Sequence, residues 1–328
     1  MNPSARKALK RILPIAISAV LIAVGVYYLR DSFPEIFAVL SNTRFGPLLL
    51  AILSLLAATM VIAFRLKMVL FCVGIEASLF ASFYYVLVAT FSSSFLRITG
   101  GAAFVTGVAV SLDQKKPLQS CLVASFADRA LGMLAAPLLA AAGLAFALGD
   151  TDLTRNALEY AGVCLLGVGV LLVLRFFIPG ESDLRRNIWN LLRKFKIEKF
   201  AESVVFLLRS PWTLIGTIGV TAAVFLFYSL TAYLVSRALG FQVPFATFLV
   251  LIPCLSVAML IPSVGGLGVR EAVFVFFLRD RLSLEEALAV SLLYYAVSLV
   301  ISGLGGIAMG MRGISRHRLE EELDRELG

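Results

Sequence analysis

Long apolar runs separated by short polar or glycine-rich breaks dominate the chain, and their lengths predict the elements. Ile12 to Leu29 follows a basic start (Arg6, Lys7, Lys10, Arg11) and reads as a retained first crossing, since no small-residue cleavage site follows it. Pro47 to Phe64 is the second crossing, and Arg65 and Lys67 read as its boundary residues. Ala77 to Leu96 is apolar with a polar interruption at Ser92-Ser93-Ser94, then comes Gly100-Gly101 and a short run from Ala102 to Leu112. Two full crossings do not fit there, because a spanning helix takes roughly 20 apolar residues. A helical hairpin entering and leaving on one side does fit.

Leu118 to Leu148 is long enough to cross with a tilt or a kink at Pro137, and Leu158 to Ile178 returns. Residues 181–209 carry seven bases around an apolar stripe, which reads as an amphipathic helix on the inner leaflet or a solvated loop. Thr213 to Ser236 crosses again. Phe245 to Leu260 and Ala272 to Leu278 are each too short to cross, and Pro262, Gly265, Gly266 and Gly268 lie between them. Proline ends a helix and glycine permits a reversal, so this is a second re-entrant hairpin. Leu284 to Met311 is the last crossing, and 312–328 is a cytoplasmic tail.

The pattern therefore predicts an all-α integral membrane protein forming one domain over 1–328. It has about six full transmembrane helices and two oppositely oriented re-entrant hairpins. Gly100-Gly101 matches Gly265-Gly266, and Leu118 to Ser125 lines up with Leu284 to Ser291. Halves at about 77–148 and 244–311, in opposite orientation, make an inverted-repeat, transporter-like arrangement.

Composition sharpens the class. The chain is 60% hydrophobic and 15% charged, with a mean hydropathy of +0.93. The net charge of +8 concentrates at the N-terminus, in residues 185–199 and after Met311. That distribution is the positive-inside pattern, which puts both termini in the cytoplasm and removes the case for nucleic acid. The four cysteines lack metal-like spacing and the single His317 has no companions. Nucleophile-elbow, zinc-protease and P-loop motifs are missing from the sequence, and the longest polar interval is too short for a catalytic domain. The expectation is a non-enzyme without cofactor or metal.

Charges within apolar flanks are the candidate site, because a charge at depth persists only when paired or wet. Arg270 and Glu271 open the last short helix, and the structural alternative for them is a helix cap and ion pair. With the amides of Gly265, Gly266 and Gly268, Arg270 offers an anion cradle. Asp128 and Arg129 lie inside a crossing, where adjacent residues do not face each other. Each needs another partner, and Asp128 with Arg270 or Arg129 with Glu271 is the expected pairing. Arg97, beside Gly100 and Gly101, completes the set at the first hairpin tip.

Pro262 to Ala272, with its Gly-Gly-Leu-Gly-Val-Arg-Glu core, resembles the signature of the lysylphosphatidylglycerol synthase transmembrane family. Asp128-Arg129-Ala130-Leu131-Gly132 is similar to that family's Glu/Asp-Arg-x-x-Gly, and Arg65 and Gly100-Gly101 also match. Ala102, Ala103 and Thr106 stand where the family often carries charge. The resemblance implies a stand-alone, flippase-like membrane domain that handles lipid, since in two-domain members a separate soluble domain makes the lipid. Three readings stand. One is a flippase for an anionic phospholipid or lipid-linked glycan. The second is a non-transporting partner of a glycosyltransferase or lipid synthase, which predicts a fully paired charge cluster. The third is a small-solute transporter. All place the chain in the cell (inner, cytoplasmic) membrane.

Overall fold

The computed structural model describes residues 38–96, 101–146, 211–259 and 268–311, with short pieces at 154–155 and 159. Among these residues every regular element is helical. In chain order they are α1 (Phe45–Cys72), α2 (Leu79–Phe91), a π-helical turn (Ser92–Leu96), α3 (Gly101–Gln114) and α4 (Leu118–Phe146). After the 147–210 interval follow α5 (Pro211–Ala238), α6 (Phe245–Ala258), α7 (Val269–Leu278) and α8 (Leu284–Met311).

Four of these helices are long and four are short. At 1.5 Å per residue, the 28 or 29 residues of α1, α4, α5 and α8 rise roughly 42 Å. That exceeds the roughly 30 Å hydrocarbon layer. The 13, 14, 14 and 10 residues of α2, α3, α6 and α7 rise only about 15–21 Å. Three described stretches are both long and apolar enough to cross a membrane: Phe45–Cys72, Gly216–Ala238 and Leu284–Gly310. The first crossing (12–29), the return at 158–178, the basic 181–209 loop and the 312–328 tail lie outside the described residues.

Where apolar helices meet in lipid, close packing and polar contacts between helices replace the hydrophobic drive. α1 accordingly presents small residues, Ala51, Ser54 and Ala58, at helical spacing, all buried. It packs along α5, where the Ser54 hydroxyl donates to the Phe227 carbonyl at 2.9 Å. The Ser229 hydroxyl of α5 donates to the Phe248 carbonyl of α6 at 3.0 Å.

The remaining packing is reciprocal. α2 packs on α8, and α6 packs on α4. α3 lies on α4, and α7 lies on α8. The short helices of each half thus sit against the long helices of both halves. The Tyr85 hydroxyl donates to Asp113, and Gln114 Nε2 donates to the Tyr85 oxygen at 3.0 Å, fastening α2 to α3.

Several boundaries differ from expectation for local reasons. α1 continues to Cys72, eight residues past Phe64, because the apolar run resumes at Met68 after Lys67. The triple serine does not break α2 but converts it to a π-helical turn. α7 begins at Val269, with Arg270 and Glu271 in its first turn as expected. α4 runs through Pro137.

Candidate functional site

Two ion pairs organise the interior, one joining α1 to α4 and one within the first turn of α7. Arg65 projects from α1 towards α4, where its Nε donates to Asp128 Oδ1 at 2.7 Å and its Nη2 to Oδ2 at 3.1 Å. Its Nη1 donates to Thr221 Oγ1 on α5 at 3.1 Å. Arg65 is 5% exposed and Asp128 4%. Forked contact from a guanidinium to both oxygens of a carboxylate is the strong form of such a pair. One side chain thereby joins three long helices.

Gly132 explains how the guanidinium fits. A Cβ at that position would lie 3.0 Å from Arg65 Nη1. Asp128 and Gly132 are four residues apart and share a face of α4. Asp128 supplies the charge, and Gly132 supplies the space.

The second pair is local. Arg270 Nη2 donates to Glu271 Oε1 at 2.6 Å. The other carboxylate oxygen of Glu271 accepts the Gly268 amide at 2.6 Å, closing the first turn of α7. Side chains in a helix lean back towards its N-terminus, which brings these two neighbours together at the helix start. Gly268 has φ +84° and ψ −45°, a conformation that L side chains rarely adopt. The Arg270 guanidinium also lies 3.9 Å from the centre of the Tyr295 ring on α8, within cation–π range.

The expected cross-pairs are therefore not formed: Asp128 binds Arg65 rather than Arg270, and Glu271 binds Arg270 rather than Arg129. Arg65 is no snorkelling boundary residue, because it is buried within a helix that continues past it. Sequence reading missed Thr221 and the Tyr295 contact. Gly101 is the first residue of α3, while Arg97, Gly100, Gly265 and Gly266 lie outside the described residues.

Arg129 differs from the others. It is half-buried on α4, and among the described residues no carboxylate or hydrogen-bond acceptor pairs with it. Both oxygens of its neighbour Asp128 are engaged by Arg65. Three guanidiniums thus face two carboxylates, leaving a surplus of one positive charge. Tyr228 on α5 lies within electrostatic reach of Arg65 and Arg129. Tyr294 on α8 lies within reach of Tyr228 and Arg270.

The family model for the lysylphosphatidylglycerol synthase TM region matches residues 11–306. The chain belongs to that family. The match takes in both ion pairs, Arg129 and the four short helices. It places the chain among multi-pass membrane proteins with a membrane-lipid role. No curated protein matches the chain. Among the described residues, no group of three or more His, Cys, Asp or Glu is placed to hold a metal ion.

Proposed function

We propose that this member of the lysylphosphatidylglycerol synthase TM region family moves an anionic phospholipid or lipid-linked head group between leaflets. Its site lies between the two hairpins, and the chain does no covalent chemistry of its own. The observation that carries the reading is Arg129. A buried cation in a membrane is expensive unless paired or wet, and these groups mark substrate paths. A phosphate oxygen is the partner that Arg129 lacks among the described residues. In this reading Arg65–Asp128 and Arg270–Glu271 hold the walls beside Arg129. Both termini are cytoplasmic in the cell membrane, and the hairpins enter from opposite sides. No ATP-binding motif occurs, so net transport draws on an ion gradient or on consumption of the product.

A second reading has its own support. Among the described residues, four of the five site charges neutralise one another in pairs, as expected of a non-transporting partner of a lipid synthase or glycosyltransferase. The test is leaflet exchange of labelled anionic phospholipid and lipid-linked sugar in proteoliposomes holding only this protein. Transport predicts exchange that falls at least tenfold in Arg129→Ala while the variant stays folded. Folded wild type with no exchange across the lipid panel favours the partner reading.

A further inference from the structure

Two glycine contacts fix how the halves correspond. A Cβ on Gly143 of α4 would lie 2.8 Å from the Leu249 carbonyl oxygen of α6. A Cβ on Gly305 of α8 would collide with the Leu87 carbonyl oxygen of α2. Leu87 and Leu249 are 162 residues apart, and so are Gly143 and Gly305, so each contact is the other with the halves exchanged. This step differs by about one helical turn from the register of Leu118 on Leu284. It carries Gly132 onto Tyr294. Gly132 is the position on α4 that makes room for the Arg65 guanidinium. Its counterpart on α8 therefore faces inward too, with a tyrosine ring where the first half leaves a space. That ring lies 5.6 Å from the ring of Phe274 on α7, and the next residue, Tyr295, covers Arg270.

Tyr228 approaches from α5. It stands seven residues, or about two turns, after Thr221, so it shares the face of α5 that the Arg65–Thr221 hydrogen bond turns towards the ion pair. It packs against both hydrophobic cores, one built mainly on α5–α8 and the other mainly on α1–α4. Both tyrosines are half-buried, and among the described residues neither hydroxyl has a hydrogen-bond partner. Serine and threonine hydroxyls on these helices bond a carbonyl one turn back, as Thr59, Thr106 and Ser125 do. A phenol hydroxyl stands at the far end of its ring, out of reach of its own helix, and a buried one finds a partner elsewhere. Tyr85 finds Asp113. Electrostatics agree with an inward placement: Tyr228 lies within reach of Arg129, and Tyr294 within reach of Tyr228.

The carboxylates of this region are spent, Asp128 on Arg65, and Glu271 on Arg270 and the Gly268 amide. What remains uncommitted among the described residues is one guanidinium and two phenol O–H groups, with a surplus of one positive charge. Such a set suits a ligand whose oxygens accept and which carries one negative charge. A phosphodiester has both properties. A diphosphate brings further charge with no counter-ion, which is costly at depth. We infer that Tyr228 and Tyr294 complete the Arg129 site, each donating its O–H to a phosphate oxygen, and that the set takes a lipid with a single phosphodiester in preference to one linked through a diphosphate. Arg129 supplies the charge, and the tyrosines fix how the phosphate faces. This inference rests on the transport reading of Arg129 and narrows its substrate.

The test is equilibrium binding to purified full-length protein in detergent. Dioctanoyl phosphatidylglycerol is the phosphodiester probe, a polyprenyl-diphosphate sugar the diphosphate probe, and inorganic phosphate the soluble competitor. Tyr228→Phe and Tyr294→Phe keep their rings, and each is expected to weaken phosphatidylglycerol binding about tenfold, as loss of a hydrogen bond to a charged group does. Tyr233→Phe, whose ring packs on Phe245 and Phe248, is expected to bind as wild type does. Wild-type affinity from both tyrosine variants overturns the inference, and so does wild-type protein that does not bind the phospholipid. The probe comparison is made on wild type and needs no variant to fold: the diphosphate lipid is expected to bind at least tenfold more weakly, and equal or tighter binding overturns the inference. Displacement by inorganic phosphate at equal concentration would put a soluble phosphate in the site and overturn it too. Leaflet exchange separates this inference from the reading beneath it. Exchange that needs Arg129 but neither tyrosine sinks the inference alone, whereas tyrosine-dependent binding without exchange sinks the transport reading and leaves the site.

Discussion

Arg65 and Asp128, 63 residues apart in sequence, form a forked ion pair that is nearly closed to solvent and reaches Thr221 on a third helix. Breaking such a pair from one side leaves an uncompensated buried charge, which costs about 3–5 kcal/mol. Arg65→Gln and Asp128→Asn are each expected to lower thermal stability in detergent sharply. Arg65→Met with Asp128→Leu removes both charges and is expected to recover most of the loss. A double variant no more stable than the singles would mean that the pair does more than neutralise itself.

Glycine substitutions separate three kinds of contact. Gly303 has nothing within 4 Å of an added Cβ, so Gly303→Ala is neutral or gains up to ~1 kcal/mol from helix propensity. Gly132→Ala meets a side-chain terminus at 3.0 Å, and the guanidinium must shift, at a cost of about 1–2 kcal/mol. Gly143→Ala meets a backbone carbonyl at 2.8 Å and forces α4 and α6 apart, which is expected to cost most. Thermal shifts of the three purified variants, ranked in that order, check the assignment.

Glu271 is expected to be less replaceable than Arg270. Its carboxylate accepts from both Arg270 and the Gly268 amide, so Glu271→Ala removes an ion pair and a helix cap together. Arg270→Gln leaves the cap in place. The Glu271 variant is expected to be about 1 kcal/mol less stable, the usual worth of a cap. Equal losses would show that the cap contributes little.

Tyr85→Phe tests the fastening of the first hairpin. The lost hydroxyl donates to Asp113 and accepts from Gln114, and a hydrogen bond to a charged group is worth about 1.5–3 kcal/mol. Faster proteolysis between α2 and α3, with the α5–α8 half unchanged, is the expected result.

The last long helix could be read from the chain because its apolar run is uninterrupted after Glu286: Leu284 to Met311 is α8 to the residue. The serine interruption at 92–94 was visible too, although not that it would become a π-helical turn. Arg65 was misread because Lys67 beside it mimics a membrane boundary, while the five apolar residues after Lys67 showed that the helix goes on. The pairing of Asp128 was beyond the letters, since its partner is set by how α1 lies across α4. The cap and ion pair of Arg270 and Glu271 stood among the sequence alternatives, because both residues open the last short helix. Their meeting depends on both side chains lying in its first turn. The repeat was misaligned by about a turn because apolar helices match at many registers; contact with Leu87 and Leu249 fixes one of them.

Gly143 and Gly305 rest on peptide oxygens, which every residue type carries. The side chains at 87 and 249 can therefore change without altering those two seams. Drift in the side chains along α2 and α6 is thereby decoupled from how closely α4 and α8 approach their backbones.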